Sequence, residues 1–389
     1  MTDRLDPASA GSPGPAADDD PRGAPGADAA AAPIAERVRR LPDDVVNRIA
    51  AGEVVERPAS VVKELLENAL DAGARRIEVA TAAGGKTLIR VADDGRGMDR
   101  DDLSLAVLRH CTSKLAHETF SEIRTLGFRG EALPSIGAVS RLSIATRAAG
   151  TASGWEIAVD AGRVGEPRPA ARPVGTVVEV RDLFFATPAR LKFLKADRTE
   201  AAAIADVVRR LALAHPQVAF RLAQGERGET VYLPAAPGDP SDRIAAVMGA
   251  DFLAESLDLD AAREGVRISG RIGLPSMTRP GSTHEYLFVN RRPVRDRTLQ
   301  GAIRAGFQDV LPRDRHPVAV VHLEVDPALV DVNVHPAKTE VRFRDAGLVR
   351  GLLVSAVRAR LAGAVRPAGV GETAARLAAF RMAGAAAAG

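Results

Sequence analysis

Glu64, Asn68 and Asp71 recur four and three residues apart in the segment Ser60-Val-Val-Lys-Glu-Leu-Leu-Glu-Asn-Ala-Leu-Asp71. On a helix turning 100° per residue they fall within about 60° of one another. A carboxylate one turn from a carboxamide offers a general base beside an oxygen ligand. One protein oxygen together with substrate phosphates is an arrangement Mg²⁺ favours. The other face, Val61, Val62, Leu65, Leu66, Ala69 and Leu70, is an apolar stripe suited to burial. An ordinary amphipathic helix has a charged outer face too, so this segment alone leaves both readings open.

Further candidates follow along the chain. Asp93-Asp-Gly-Arg-Gly-Met98 succeeds a predicted strand; its glycines permit close backbone approach, and Asp93 can accept a hydrogen bond from a base or amine. An ordinary Asp-Gly turn reads the same way. Gly127-Phe-Arg-Gly-Glu-Ala-Leu133 sets two glycines before a predicted helix over 131–139, where loop N–H groups and the positive helix end suit a phosphate. In His110-Cys-Thr-Ser-Lys114, Lys114 adds a point charge; Gly175-Thr176 opens a strand that could close a pocket wall. Lys338 follows a Pro turn in Asp331-Val-Asn-Val-His-Pro-Ala-Lys338. Several motifs are absent. Gly85-Lys86-Thr87 has a Walker A ending, but Ala80 stands where the earlier glycine belongs, and His117-Glu118 lacks its second histidine at Ser121. A single cysteine, Cys111, excludes an internal disulfide framework and a Cys-rich zinc site, and fits a reducing, cytoplasmic setting.

The elements that must position these residues read as α+β. Asp44–Ala51 is expected to be a short helix stopped by Gly52. Pro58 suits the first turn of a helix ending at Gly73. Strands are expected over 76–81 and 86–92 around Gly84-Gly85, then over 177–180 and 220–222. After the Pro234–Pro240 stretch come strands over 286–289 and 318–325 and helices over 298–307 and 347–361. Four regions follow: an acidic Ala/Pro-rich extension over 1–36 that is expected to be disordered, a domain over 37–235, a second over 241–365, and an Ala-rich linker start over 366–389 with a short helix near 375–382. The 389 residues carry 53 basic and 50 acidic side chains. Seven acids against two arginines fall in the first 36, so the remainder is the more basic part and is compatible with a nucleic-acid partner. No run approaches the roughly 20 apolar residues of a membrane span, and no signal peptide is expected.

Taken together and in this order, the segments resemble the N-terminal ATPase region of the MutL family of DNA mismatch repair proteins. The matching stretches are 47–73, 93–98, 112–114, 127–133, 175–176 with 182–193, 289–297 and 332–338, and the resemblance covers roughly 38–365. Arg57-Pro-Ala-Ser-Val-Val-Lys-Glu-Leu65 and Gly127–Leu133 are the most specific. The family belongs to the GHKL ATPases. The resemblance therefore implies a GHKL (Bergerat) ATP-binding α/β sandwich followed by a smaller α+β domain like those of ribosomal proteins. It implies Glu64 as the general base, Asn68 as the Mg²⁺ ligand and Asp93 as acceptor of the adenine amino group, with Thr176 supporting a water there. Asp71, Gly97 and Met98 would border the nucleotide. Thr112, Ser113, Lys114, Gly127, Phe128, Arg129, Gly130 and Glu131 would form the lid and phosphate cradle, and Lys338 would reach the γ-phosphate from the second domain. Arg292, Arg295 and Arg297 match the family's proposed DNA-contact segment.

The implied activity is a slow, Mg-dependent ATPase acting as a conformational switch. It would work with DNA, the mismatch-recognition protein MutS and downstream nuclease and helicase factors, as an ATP-dependent homodimer whose exchanged arm is the segment before Leu41. The alternatives are an ATP-binding DNA scaffold with little turnover and a type II topoisomerase ATPase subunit. This chain departs from the family pattern at Ala186, often Asn, and at Arg291, often Gly. It stops in Ala-rich sequence where family members continue, and it has no Asp-Gln-His-Ala metal motif. A partial gene product that does not nick DNA is expected.

Overall fold

The computed structural model describes residues 42–114, 125–127, 130–225, 228–332 and 340–365. The expectations for 1–36, for Phe128, Arg129 and Lys338, and for the stretch after 365 lie outside the described residues. Helix α1 spans Asp43–Val54 and α2 Pro58–Asp71. Strands β1 (Arg76–Ala82) and β2 (Leu88–Asp93) flank a tight 3₁₀ turn over Ala83–Gly85. Helices α3 (Arg100–Ala106) and α4 (Ala132–Val139) precede β3 (Arg141–Arg147), β4 (Gly154–Asp160), β5 (Arg163–Val164), β6 (Arg168–Ala170) and β7 (Gly175–Arg181). Helices α5 (Pro188–Phe193) and α6 (Asp197–Ala214) lead to β8 (Ala219–Gln224) and β9 (Glu229–Tyr232).

These strands form one nine-stranded sheet in the order β5-β4-β3-β7-β2-β1-β8-β9, with β6 pairing β4. Every pairing is antiparallel except β1 with β8. In β1 the alternate residues Ile77, Val79 and Thr81 are buried, the period-two pattern of a strand. The α2 stripe of Val61, Val62, Leu65, Leu66 and Ala69 joins Ile77, Ile89, Val91, Ile136, Ile144 and Ile204 in a core shared with α1, α4 and α6. The start of α2 has no side-chain cap. Instead the preceding Arg57 donates through Nε and Nη2 to Glu200 Oε2 of α6 at 3.0 and 2.8 Å, and the buried carboxylate also accepts from Lys195 N. This ties the entry of α2 to a helix 143 residues away.

Gly52 does not stop the first helix, which runs through it to Val54. A Cβ there would meet the Arg190 guanidinium at 2.3 Å, and Arg190 Nη1 donates to Val55 O at 3.0 Å. The glycine makes room for the side chain that caps the helix end.

Beyond Pro240 come α7 (Ser241–Met248), α8 (Ala250–Ala254), and the hairpin of β10 (Ser256–Arg263) and β11 (Val266–Gly273). These precede β12 (Thr278–Arg279), β13 (Glu285–Val289), β14 (Arg292–Val294), α9 (Arg297–Gly306), β15 (His316–Pro317) and β16 (Ala319–Glu324). The short strands β17 (Val330–Asp331) and β18 (Arg342–Phe343) lead into α10 (Ala346–Val365). A five-stranded sheet runs β10-β11-β16-β13-β14, and β12–β15 and β17–β18 form separate pairs. All of β13 is buried, because it packs on both faces. Leu287 and Val289 join α9 and α10, whereas Tyr286 and Phe288 join Leu213, Ala214, Ile244 and Phe252. A strand buried on both faces reads as a continuous apolar run. The second of those clusters carries contact across the Pro-rich stretch, and the described residues from Pro42 onward belong to one compact unit. The hairpin over 256–273 and the long helix α6 have no counterpart in the sequence reading.

Candidate functional site

The polar edge of α2 lines a cavity of about 970 Å³. Glu64, Asn68 and Asp71 form one wall; Asp93, Gly97, Met98 and Thr176 stand at one end; Thr112, Ser113, Lys114, Gly127, Gly130 and Glu131 border the other. Every candidate ATP-site residue that lies among the described residues therefore borders the same cavity. Phe128, Arg129 and Lys338 are not described.

At the first end, Asp93 terminates β2 opposite Thr176 of β7. Its Oδ1 accepts from Gly95 N at 2.9 Å. Burial pushes the Asp93 carboxyl above its ordinary value, partly offset by the N–H groups of Gly95 and Thr176. Thr146 of β3, wholly buried, hydrogen-bonds Thr176 Oγ1 at 3.0 Å and accepts from Met98 N at 3.0 Å. It fixes both walls around Asp93, yet the sequence reading does not include it. Only the pairing of β3 with β7 puts it opposite Thr176. Gly97 has φ +67°, and a Cβ there would lie 1.9 Å from Arg147 O. The fold itself demands this glycine, whatever enters the cavity. Val91, Met98 and Val178 supply apolar lining at this end.

At the other end charge is concentrated. Lys63 Nζ lies 3.4 Å from Glu64 Oε1 and 2.9 Å from Glu67 Oε1. Burial pulls the Lys63 ammonium down, but Glu67 and Glu64 outweigh it and the net shift is upward. Glu67 is only 1 % exposed. Lys114 Nζ donates to Asn68 Oδ1 at 2.8 Å and to Asp71 Oδ2 at 2.6 Å. A carboxamide and a carboxylate oxygen thus converge on one cation, the donor chemistry that a hard divalent ion such as Mg²⁺ also takes. Asp71 in addition accepts from Leu126 N at 2.9 Å and Gly127 N at 3.0 Å.

Of the three arginines expected to contact DNA, Arg292 is buried. Arg292 is 5 % exposed and donates to Thr125 O and Leu126 O at 3.0 and 3.1 Å. It points inward, toward the charges of Glu67, Asp71 and Glu64, and so does not form part of an exposed phosphate-contacting surface. β14 pairs with β13, and the alternation along it buries Arg292 and Val294 while Arg295 and Arg297 remain exposed. Arg295 Nη2 pairs with Asp206 Oδ2 at 3.0 Å. Among the described residues no cluster of three or more His, Cys, Asp or Glu could hold a metal, and no helix is long and apolar enough to cross a membrane.

Residues 56–167 match the family described as histidine kinase-, DNA gyrase B-, and HSP90-like ATPase, and residues 244–362 match the DNA mismatch repair protein, C-terminal domain. The DNA mismatch repair protein MutL of Rhizobium leguminosarum bv. trifolii is 59 % identical over 325 residues, which are 84 % of this chain and 54 % of that protein. The chain thus spans about half the length of the curated relatives it matches. Among solved structures, the Aquifex aeolicus MutL ATPase domain complexed with ADP is 30 % identical at a TM-score of 0.56, covering 77 % of this chain and 98 % of that one. The N-terminal domain of a DNA repair protein aligns at a TM-score of 0.69 and 25 % identity, covering 81 % and 97 %. The first sheet and its helices have the GHKL ATPase fold. These likenesses favour the mismatch-repair reading over a topoisomerase subunit.

Proposed function

This chain belongs to the MutL family of DNA mismatch repair proteins, and from that premise we propose that it binds ATP with Mg²⁺ and hydrolyses it slowly, as a conformational switch in mismatch repair. The observation that carries the reading is the convergence of Glu64 and Asn68 of helix α2 and Asp93 of strand β2 on one cavity.

The residues divide the work by position. Asp93 accepts the adenine amino hydrogen at the end it shares with Thr176, and Gly97 and Met98 form the wall beside the base. Asn68 would hold the metal, with Asp71 beside it, and Mg²⁺ would supply charge neutralisation for the phosphates. Lys114 and the Gly130 N–H offer further positive charge to the phosphates, with Thr112, Ser113, Gly127 and Glu131 bordering them. Glu64 orients the attacking water and takes its proton. Phe128, Arg129 and the γ-phosphate role of Lys338 complete the proposal.

On this reading, domains over 37–235 and 241–365 respond to nucleotide as two parts of an ATP-dependent homodimer in the cytoplasm. DNA, MutS and downstream nuclease and helicase factors are its partners. Size-exclusion chromatography with and without a non-hydrolysable ATP analogue tests the switch: a nucleotide-dependent shift to the dimer is expected, and identical profiles despite saturating nucleotide would count against it.

Asp93→Asn is expected to weaken ATP binding roughly 10- to 150-fold, the equivalent of about 1.5–3 kcal/mol for one charge-assisted hydrogen bond. Isothermal titration checks this, and unchanged affinity would remove Asp93 from the adenine site. The pH dependence has a definite sign. The folded state holds the Asp93 proton more tightly than the unfolded chain, whose group titrates near 3.8. Ionising it in the fold therefore costs stability as pH rises above that value, until the raised folded value is passed. The parent's melting temperature, measured against Asp93→Asn, should fall over that interval and then level off.

DNA contact is assigned to Arg295 and Arg297 alone. Replacing both with Glu should lower the magnitude of the slope of log K against log salt by about one to two, because each lost phosphate contact removes roughly 0.9. A parental slope in filter binding at graded salt would move the contact elsewhere.

A further inference from the structure

We infer that Arg292 is a positioning residue for ATP turnover, holding residues 125–127 in place from the second sheet; the inference rests on the ATPase reading. Its guanidinium spans two consecutive carbonyls, Nη1 to Leu126 O at 3.1 Å and Nη2 to Thr125 O at 3.0 Å. The N–H side of the same short stretch is held by Asp71, whose two carboxylate oxygens accept from Leu126 N and Gly127 N at 2.9 and 3.0 Å. One end of the clamp is on α2 and the other on β14, 221 positions further along the chain.

What the clamp sets is the place of Gly127. A Cβ at that residue would lie 2.9 Å from Lys114 Nζ and 3.7 Å from Asn68 Oδ1. The Gly127 backbone therefore packs directly on the cation and oxygen pair assigned to metal and phosphate. A shift of about 1 Å in catalytic geometry can cost on the order of 10² in rate. Arg292 touches none of the reacting groups; it acts through the backbone. A planar fork with fixed donor spacing suits two neighbouring carbonyls, and a single ammonium does not reproduce it.

The test uses the full chain as parent, Arg292→Ala and Arg292→Lys. Turnover at saturating ATP without DNA, KM for ATP, thermal melting and the salt slope of DNA binding are measured on each. Both variants are expected to lose roughly 10- to 100-fold in kcat, with KM nearly unchanged and the DNA salt slope parental. Millimolar guanidinium should partly restore Arg292→Ala. The Lys variant keeps charge and bulk, so it guards against a folding failure of the Ala variant. Parental kcat in either folded variant would overturn the inference, as would a lowered salt slope with DNA-free turnover intact, the pattern of a phosphate contact. An active parent with unaffected variants sinks this inference alone, whereas a parent that neither binds nor hydrolyses ATP sinks the ATPase reading and this inference with it.

Discussion

Glu64→Ala is expected to retain nucleotide affinity while ATP turnover falls by about 10²–10⁴, or roughly 3–5 kcal/mol of barrier. The adenine end, 29 residues further on at Asp93, is untouched by the change, and Asn68 keeps its carboxamide. The local charge stays balanced as well. Lys63 loses one carboxylate partner at 3.4 Å but keeps the closer Glu67 at 2.9 Å. What disappears is the acceptor for the proton of the attacking water. Steady-state phosphate release beside an equilibrium titration separates the two effects. A variant that hydrolyses ATP at the parental rate would remove Glu64 from the mechanism. A DNA scaffold that binds ATP without needing to turn it over would tolerate the substitution in a complementation test, and a hydrolytic switch would not.

Arg243→Ala is expected to cost about 3–5 kcal/mol of stability, because several buried carbonyls lose their donor at about 1–3 kcal/mol each. Arg243 is 1 % exposed and sits on α7. It donates to five carbonyl oxygens: Ala212 and His215 at the end of α6, Val218, and Tyr232 and Leu233 at the end of β9. The last carbonyls of a helix have no partner within it, so the guanidinium satisfies groups that would otherwise be stranded in a dry interior. Burial lowers its pKa to about 10, which leaves it charged at neutral pH. The same side chain thereby links the elements that precede the second sheet to the edge of the first. Thermal melting should show a drop on the order of 10 °C. Loss of less than about 1 kcal/mol would mean that water or a relaxed backbone replaces the guanidinium with little cost. Arg243→Lys should recover part of the loss by keeping a donor and the charge.

The readable parts of the site are those set by local spacing. Glu64, Asn68 and Asp71 share an edge because a helix repeats every 3.6 residues, and they line the cavity wall together. The alternation in β1 and the Gly84-Gly85 turn were legible for the same reason. Gly52 misled because its purpose is a side chain from 138 positions away, which no local rule sees. Glu67 belongs to the same helix as Glu64, yet the packing around it buries one and leaves the other at the cavity. A helical wheel shows direction around an axis and says nothing of what stands opposite.

By itself the sequence determined the α+β class, the family resemblance and the short motifs at which nucleotide chemistry is proposed, since each depends on residues within a turn or two of one another. Only the tertiary structure decided that Thr146 braces Thr176 and Met98, that Arg292 faces inward to residues 125–127, and that Arg243 joins α6, β9 and α7. The physical reason is that sheet register and core packing set the direction of a polar side chain through contacts far apart in the chain. A buried guanidinium is then satisfied by whichever carbonyls those contacts bring within about 3 Å of it.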